Sequence, residues 1–277
     1  MKYALITDIH GNLEALATVL AHIAQHAPDA SLLCAGDVVG YGPDPRACVE
    51  FIMSRQVPCV RGNHEEMVLG QRDFSRCVAA GISAARWTRR QLTPEQSRYL
   101  RDLPIQRTIT DELVMCHGDM ESADTYVSDA RSAQTALEQM ARAVPTAWVL
   151  VCGHTHHPAV YDATDGFVLR SDPCTVTLDR ARRYVINAGA VGQSRDGSPL
   201  ARYALLDLQA GSLSFHALAY DHATTQRKMR QAGLMGGVIL TPPSGVWRRV
   251  ERARTSWQRY WGEAENRRLG LVPENQV

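Results

Sequence analysis

The sequence predicts an α/β protein in which an early parallel sheet is followed by a mostly antiparallel set of strands. Three observations carry that expectation. Short apolar runs alternate with helical periodicity over residues 3–60, strand-like runs dominate from about residue 105 onward, and five polar clusters each follow directly on an apolar run. The last feature places every cluster in a loop at the end of a strand.

In chain order, YALIT reads as a strand. Leu13, Leu16, Ala17, Leu20, Ile23 and Ala24 then recur with the spacing of a helix that buries one face, with Asn12 as its N-cap. SLLCA is a second strand. Asp44-Pro45 supplies a cap and a proline at the first position of a helix ending near Arg55, ahead of a third strand at 57–60. Such a β-α-β-α-β order implies a parallel sheet. From about Glu65 to Arg101 the chain reads as helical, with a fresh start at Thr93-Pro94-Glu95-Gln96, and forms a cover. IQRTI and LVMCH then flank an Asp111-Glu112 turn. WVLVC, FVLRS and RYVINAG follow, and RYALLDL pairs through QAGS with SFHALAY. Residues 1–220 are expected to form one domain with a helical cover at about 65–102, and 221–277 a helical extension packed on it. The last helix, over 246–268, carries Trp247, Val250, Trp257 and Trp261 on an apolar stripe that offers a face to a second copy of the chain.

The 277 residues are 45% hydrophobic and 21% charged with a formal net charge of +1. That balance excludes intrinsic disorder and gives no extended basic surface for nucleic acid. No apolar run approaches the ~20 residues of a membrane span, and Asp8 interrupts the N-terminal run before a secretory core could form. Seven cysteines without a CxxC pair point to a reducing compartment, the cytoplasm. Cys34, Cys116 and Cys152 lie in apolar runs and are expected as small buried hydrophobes. His22 and His26 stand four apart on the first helix, but near its end, where histidine is ordinary.

The five clusters are Asp8-Ile9-His10-Gly11-Asn12, Gly36-Asp37-Val38-Val39-Gly40-Tyr41-Gly42, Gly62-Asn63-His64-Glu65, His117-Gly118-Asp119 and Gly153-His154-Thr155-His156. Singly, each has an ordinary explanation as a capped loop or a turn. Together they converge on the carboxyl edge of a sheet, where open α/β sheets bind ligands, with enough oxygen and nitrogen donors for two divalent ions. On an extended segment, the spacing of His154 and His156 would put both rings on one face.

In this order the motifs resemble those of the calcineurin-like metallophosphoesterase superfamily, over residues 2–196. GDVVGYGPDP and NAGAVGQSRDG are similar to its small bacterial phosphoesterases, akin to diadenosine tetraphosphatase-like and phosphodiesterase proteins. The resemblance implies a two-sheet β sandwich flanked by helices, a four-layer αββα arrangement. It also implies that Asp8, His10 and His156 hold one metal, that Asn63, His117 and His154 hold the other, and that Asp37 bridges the two. Hydrolysis of a phosphodiester or phosphomonoester would then proceed by in-line attack of a metal-bridging hydroxide, with His64 as general acid. Mn, Fe, Zn and Ni all suit such donors, and the substrate would be a phosphorylated small molecule or a nucleotide. Asn12, Tyr41, Arg61 and Arg195 are the candidate substrate contacts. Where the protein phosphatase branch has an Asp-Arg pair after the bridging aspartate, this chain has Gly40-Tyr41. The competing reading is a non-catalytic scaffold of the same fold, against which the intact donor set weighs.

Overall fold

A computed structural model describes residues 1–72, 79–170, 173–195 and 198–234. In chain order the elements are β1 (Lys2–Ile6), α1 (Leu13–His26), β2 (Ser31–Cys34), α2 (Pro45–Ser54), α3 (Asn63–Leu69), α4 (Ala79–Gln91), α5 (Pro94–Asp102), β3 (Gln106–Thr110), β4 (Leu113–Cys116) and α6 (Ala130–Ala143). They continue with β5 (Val149–Cys152), β6 (Ala159–Asp162), β7 (Gly166–Leu169), β8 (Cys174–Thr177), β9 (Tyr184–Asn187), β10 (Ala201–Asp207), β11 (Ser212–Leu218) and α7 (His222–Gln231). The terminal helix expected over 246–268 lies outside the described residues.

The strands form two mixed sheets, ordered β2-β1-β10-β11-β8 and β3-β4-β5-β9-β6-β7. Alternation along each strand explains the layers. Tyr3 and Leu5 face inward with Leu33, Met115, Val149, Val151, Ile186, Leu206 and Phe215, forming the core between the sheets. Ala4 and Ile6 face outward onto the apolar stripe of α1, and the outer face of the second sheet is covered by Ala133, Ala136, Leu137 and Met140 of α6. The expected four-layer αββα sandwich is therefore the observed one. Among the described residues, parallel pairing joins β1 with β2 and β5 with β4 and β9, with one isolated parallel bridge besides, and β1, β2, β4 and β5 feed four of the five polar clusters.

Several local expectations hold. Asn12 caps α1 by accepting from the Ala15 N–H, and Thr93 and Gln96 form a reciprocal capping box on α5. Cys34, Cys116 and Cys152 are fully buried and free. Others do not. The strand expected at 57–60 shrinks to one bridge between Cys34 and Cys59, because Pro58 has no N–H to extend a ladder. Asp44 sits at the N-cap of α2 but makes no capping bond; Lys228 of α7 draws its carboxylate away at 2.9 Å and takes Glu14 of α1 at 2.6 Å. Helix α6 went unpredicted although its buried residues keep the helical spacing.

The helix-end histidines gain partners that sequence spacing did not reveal. His22 and His26 stack 3.9 Å apart, His216 of β11 lies 5.4 Å from His22, and the His22 Nδ1 is 2.6 Å from the Tyr203 hydroxyl. Burial, then the neighbouring His26 and His216, push His22 down to about 4. A histidine depressed below its unfolded value of about 6.5 favours the native state above that pH, and the contribution is lost as pH falls toward 4. The melting temperature of His22→Gln should therefore fall less between pH 7 and pH 5 than that of the wild type; parallel declines would show that His22 contributes nothing to the acid sensitivity.

Candidate metal centre

Loops leaving the carboxyl ends of the parallel strands bring Asp8 and His10 (after β1), Asp37 (after β2), His117 (after β4) and His154 and His156 (after β5) to one buried point between the sheets. Asn63 and His64 join them from the start of α3, and all eight are at most 7% exposed. Two groups within this cluster could each hold a cation: Asp8, His10, Asp37 and His156, and Asp37, His117 and His154. The Asn63 side-chain oxygen lies 3.2 Å from His117 Nε2, beside the second group.

The unpaired atoms are the informative ones. Asp8 uses Oδ2 to accept from the Thr7 hydroxyl and the His154 N–H, and Asp37 uses Oδ1 to accept from the His64 N–H. Their other oxygens, Asp8 Oδ1 and Asp37 Oδ2, are buried without a hydrogen-bond partner, as is His154 Nε2. Asp37 Oδ2 lies 3.7 Å from His10 Nε2 and 3.2 Å from His117 Nε2. The backbone of His64 holds Asp37 Oδ1, which leaves Oδ2 as the oxygen near both groups.

The imidazoles are oriented from behind. Nδ1 of His10, His117 and His156 donates to the carbonyls of Val39, Ala35 and Gln193 respectively, which turns each Nε2 lone pair inward. His10 Nε2 and His156 Nε2 consequently face each other at 3.1 Å, a repulsive pairing unless positive charge lies between them. Bare carboxylate oxygens and inward lone pairs, all buried, are the donor set of a divalent cation site. The residues fit the metals that the motifs imply.

Backbone geometry accounts for how so many side chains point at one place. Asp8, His10, Asp37, Tyr41, His154 and His156 all adopt left-handed φ values between 50° and 66°, a conformation costing on the order of 1 to 3 kcal/mol each for non-glycine residues. His154 and His156 are therefore not on an extended segment; their shared direction comes from two left-handed turns. Close approach explains the neighbouring glycines. A Cβ at Gly62 would lie 2.1 Å from Asp37 Oδ1, and one at Gly40 would lie 2.2 Å from His64 Nδ1. Gly40 thus stands where it does because the His64 ring fills the space of any side chain.

Electrostatics follow from the same packing. Burial opposes the charge of Asp8 and Asp37, but the surrounding histidines outweigh it and hold both below the usual carboxylate range. Burial lowers His117, yet the charges of Asp37 and Asp8 lift it to about 10. His64 goes the other way. Burial, only partly offset by Asp37, takes it to about 4, so it is neutral at pH 7 rather than titrating near it.

The four expected substrate contacts separate in the structure. Tyr41 packs against His10 and His64 with ring centroids 4.8 and 4.6 Å away, and burial raises the pKa of its hydroxyl while nearby Arg195 lowers it. Arg61 instead turns to the Arg101 carbonyl at 2.8 Å and to Glu66. Asn12 is a correction: it is fully buried, its amide donates to the Gly192 carbonyl and Tyr220, and its oxygen accepts from Ala15 and Thr225, so nothing remains for a substrate. Two further groups support the donors. The Glu65 carboxylate accepts from the N–H groups of Asp37, Val39 and Gly62 at 2.7 to 3.1 Å. Asn187 donates to the Gly153 carbonyl and Thr155, holding the His154 loop. Glu65 had a visible signal, its place two residues after Asn63.

A helix-flanked double sheet with a buried aspartate, histidine and asparagine cluster at the strand ends defines a metal-dependent phosphoesterase. The family model for the calcineurin-like phosphoesterase superfamily domain matches residues 1–211, and the chain belongs to that superfamily. It is accordingly a phosphoric ester hydrolase. Over 228 residues it is 30% identical to protein MJ0912 of Methanocaldococcus jannaschii, covering 79% of this chain and 87% of that one. The crystal structure of a metallophosphoesterase from Sphaerobacter thermophilus superposes with a TM-score of 0.72 at 33% identity, covering 86% of this chain and 97% of the other. Protein PH1004 of Pyrococcus horikoshii has the same fold, with a TM-score of 0.67 at 21% identity over 86% and 96% of the two chains.

Because Glu65 serves three buried N–H groups, Glu65→Ala should destabilise the metal-free chain on the order of 3 kcal/mol or more, at about 1 to 3 kcal/mol per orphaned donor. Glu65→Gln should fall between the two in a urea titration. A wild-type midpoint for Glu65→Ala would remove the residue from this role.

Proposed function

We propose that the protein hydrolyses phosphate esters with two divalent cations, one held by Asp8, His10, His156 and Asp37 and the other by Asn63, His117, His154 and the same Asp37. The observation that carries this reading is the set of buried, unpartnered atoms Asp8 Oδ1, Asp37 Oδ2 and His154 Nε2, which face one another inside a shell of inward imidazole nitrogens. Such cations, when bound, lower the pKa of water and neutralise the charge of phosphoryl oxygens. Mn, Fe, Zn and Ni all match these donors.

The chain's own groups then divide the remaining work. With only two carboxylates among the seven donors, the protein leaves a surplus of positive charge to draw an anionic ester. Tyr41, packed on His10 and His64, and Arg195, near enough to act on its hydroxyl, are the groups that would hold non-bridging phosphate oxygens. His64, buried beside Asp37 and neutral before substrate arrives, takes up its proton when the ester brings negative charge against the ring, and gives it to the departing oxygen. The substrate is a phosphorylated small molecule or a nucleotide, mono- or diester. Free thiols at Cys34, Cys48, Cys59, Cys116, Cys152 and Cys174 support work in the reducing cytoplasm.

The test is to strip the protein of metal, reload it with Mn or Zn, and follow release of p-nitrophenol from p-nitrophenyl phosphate and bis-p-nitrophenyl phosphate. Turnover should require metal, Asp37→Asn should abolish it, and His64→Ala should lower kcat about 100-fold or more. A chain carrying both ions that hydrolyses neither ester would sink the proposal in favour of a scaffold.

A further inference from the structure

Outside the cluster, one side chain is conspicuous for its place. Tyr126 is 51% exposed, yet its ring packs on the candidate ligand His154 with centroids 4.0 Å apart. Tyr41 borders the centre beside His10 and His64. Both Tyr126 and Arg195 lie within electrostatic range of the Tyr41 hydroxyl.

The exposure of Tyr126 is not that of a loose loop. Met120, Ala123 and Val127 around it are at most 5% exposed, anchored in or beside the α6 core. Asp119 Oδ1 accepts from the N–H groups of Glu121 and Ser122, and Asp124 is paired with Arg72. The backbone that carries Tyr126 is thus held in place before any ligand arrives. One face is spent on His154 and the rest of the ring is open to solvent next to the reacting centre.

We infer that Tyr126 is a specificity-determining residue, the platform on which a nucleobase stacks when a nucleoside phosphate places its phosphoryl group over the metal centre. This rests on the phosphoesterase reading and names the substrate class it serves. Stacking on an aromatic face is tolerant of which base is present, so the platform selects a planar arm over none rather than one base over another.

The experiment is calorimetric binding of the phosphonate analogues of AMP and of ribose 5-phosphate, in which a methylene replaces the ester oxygen so that neither is hydrolysed, to the Mn-loaded full-length wild type, Tyr126→Phe and Tyr126→Ala. The wild type should bind the AMP analogue about tenfold more tightly than the ribose 5-phosphate analogue. Tyr126→Ala should erase that advantage without changing the affinity for the ribose 5-phosphate analogue, and Tyr126→Phe should keep it. Equal wild-type affinities, binding of neither ligand, or an equal loss of both in Tyr126→Ala would overturn the inference, the last by making Tyr126 a mere support for His154. The p-nitrophenyl assay is read separately, so failure of hydrolysis is distinguishable from failure of stacking. With half its surface already exposed, Tyr126 can be truncated without emptying the core, and unaltered melting checks this.

Discussion

Burying carboxylate oxygens without partners is among the most expensive things a fold can do, and this one does it at Asp8 and Asp37. Much of the surrounding architecture can be understood as holding those two oxygens bare while satisfying everything else nearby. Thr7 and the backbone of His154 occupy the other oxygen of Asp8; the backbone of His64 occupies that of Asp37. Carbonyls behind His10, His117 and His156 settle which nitrogen faces in. Left-handed turns at six positions aim the side chains. Their combined cost is met by the large apolar core between and outside the sheets, which does not depend on the site.

The loops are also coupled to one another. Glu65 gathers the N–H groups of two of them, and burial followed by the charge of Asp37 raises its carboxyl to about 7. Gly40 leaves the room that His64 occupies, and Gly62 the room that Asp37 occupies. The pattern that separates this chain from the protein phosphatase branch, Gly40-Tyr41, is consequently tied to the position of His64. A bulkier residue there would need a different placement of that ring.

Much of this was legible in the sequence because each polar cluster follows an apolar run, and parallel strands deliver their loops to one edge. All seven candidate ligands meet there. What stayed hidden depends on neighbours remote in the chain. Nothing local announces that Asn12 will be consumed by Gly192, Tyr220 and Thr225, or that Lys228 will take Asp44 from its cap. His154 and His156 looked like an extended pair because spacing carries no sign of φ. Tyr126 is an ordinary tyrosine in sequence; only its contact with His154 marks it. Helix α6 was missed because alanines supply much of its buried face, a weak apolar signal even at helical spacing.

The donors come from both halves of the sandwich, with Asp8, His10 and Asp37 following strands of one sheet and His117, His154 and His156 following strands of the other. A cation held between them is then a cross-link, joining segments as far apart as residues 8 and 156 much as a disulfide would, but one that dissociates. Folding stability would then be a function of free metal concentration, rising by about 1.4 kcal/mol per ion for each tenfold increase above its dissociation constant. The two sheets are fastened most tightly when the enzyme is loaded for work.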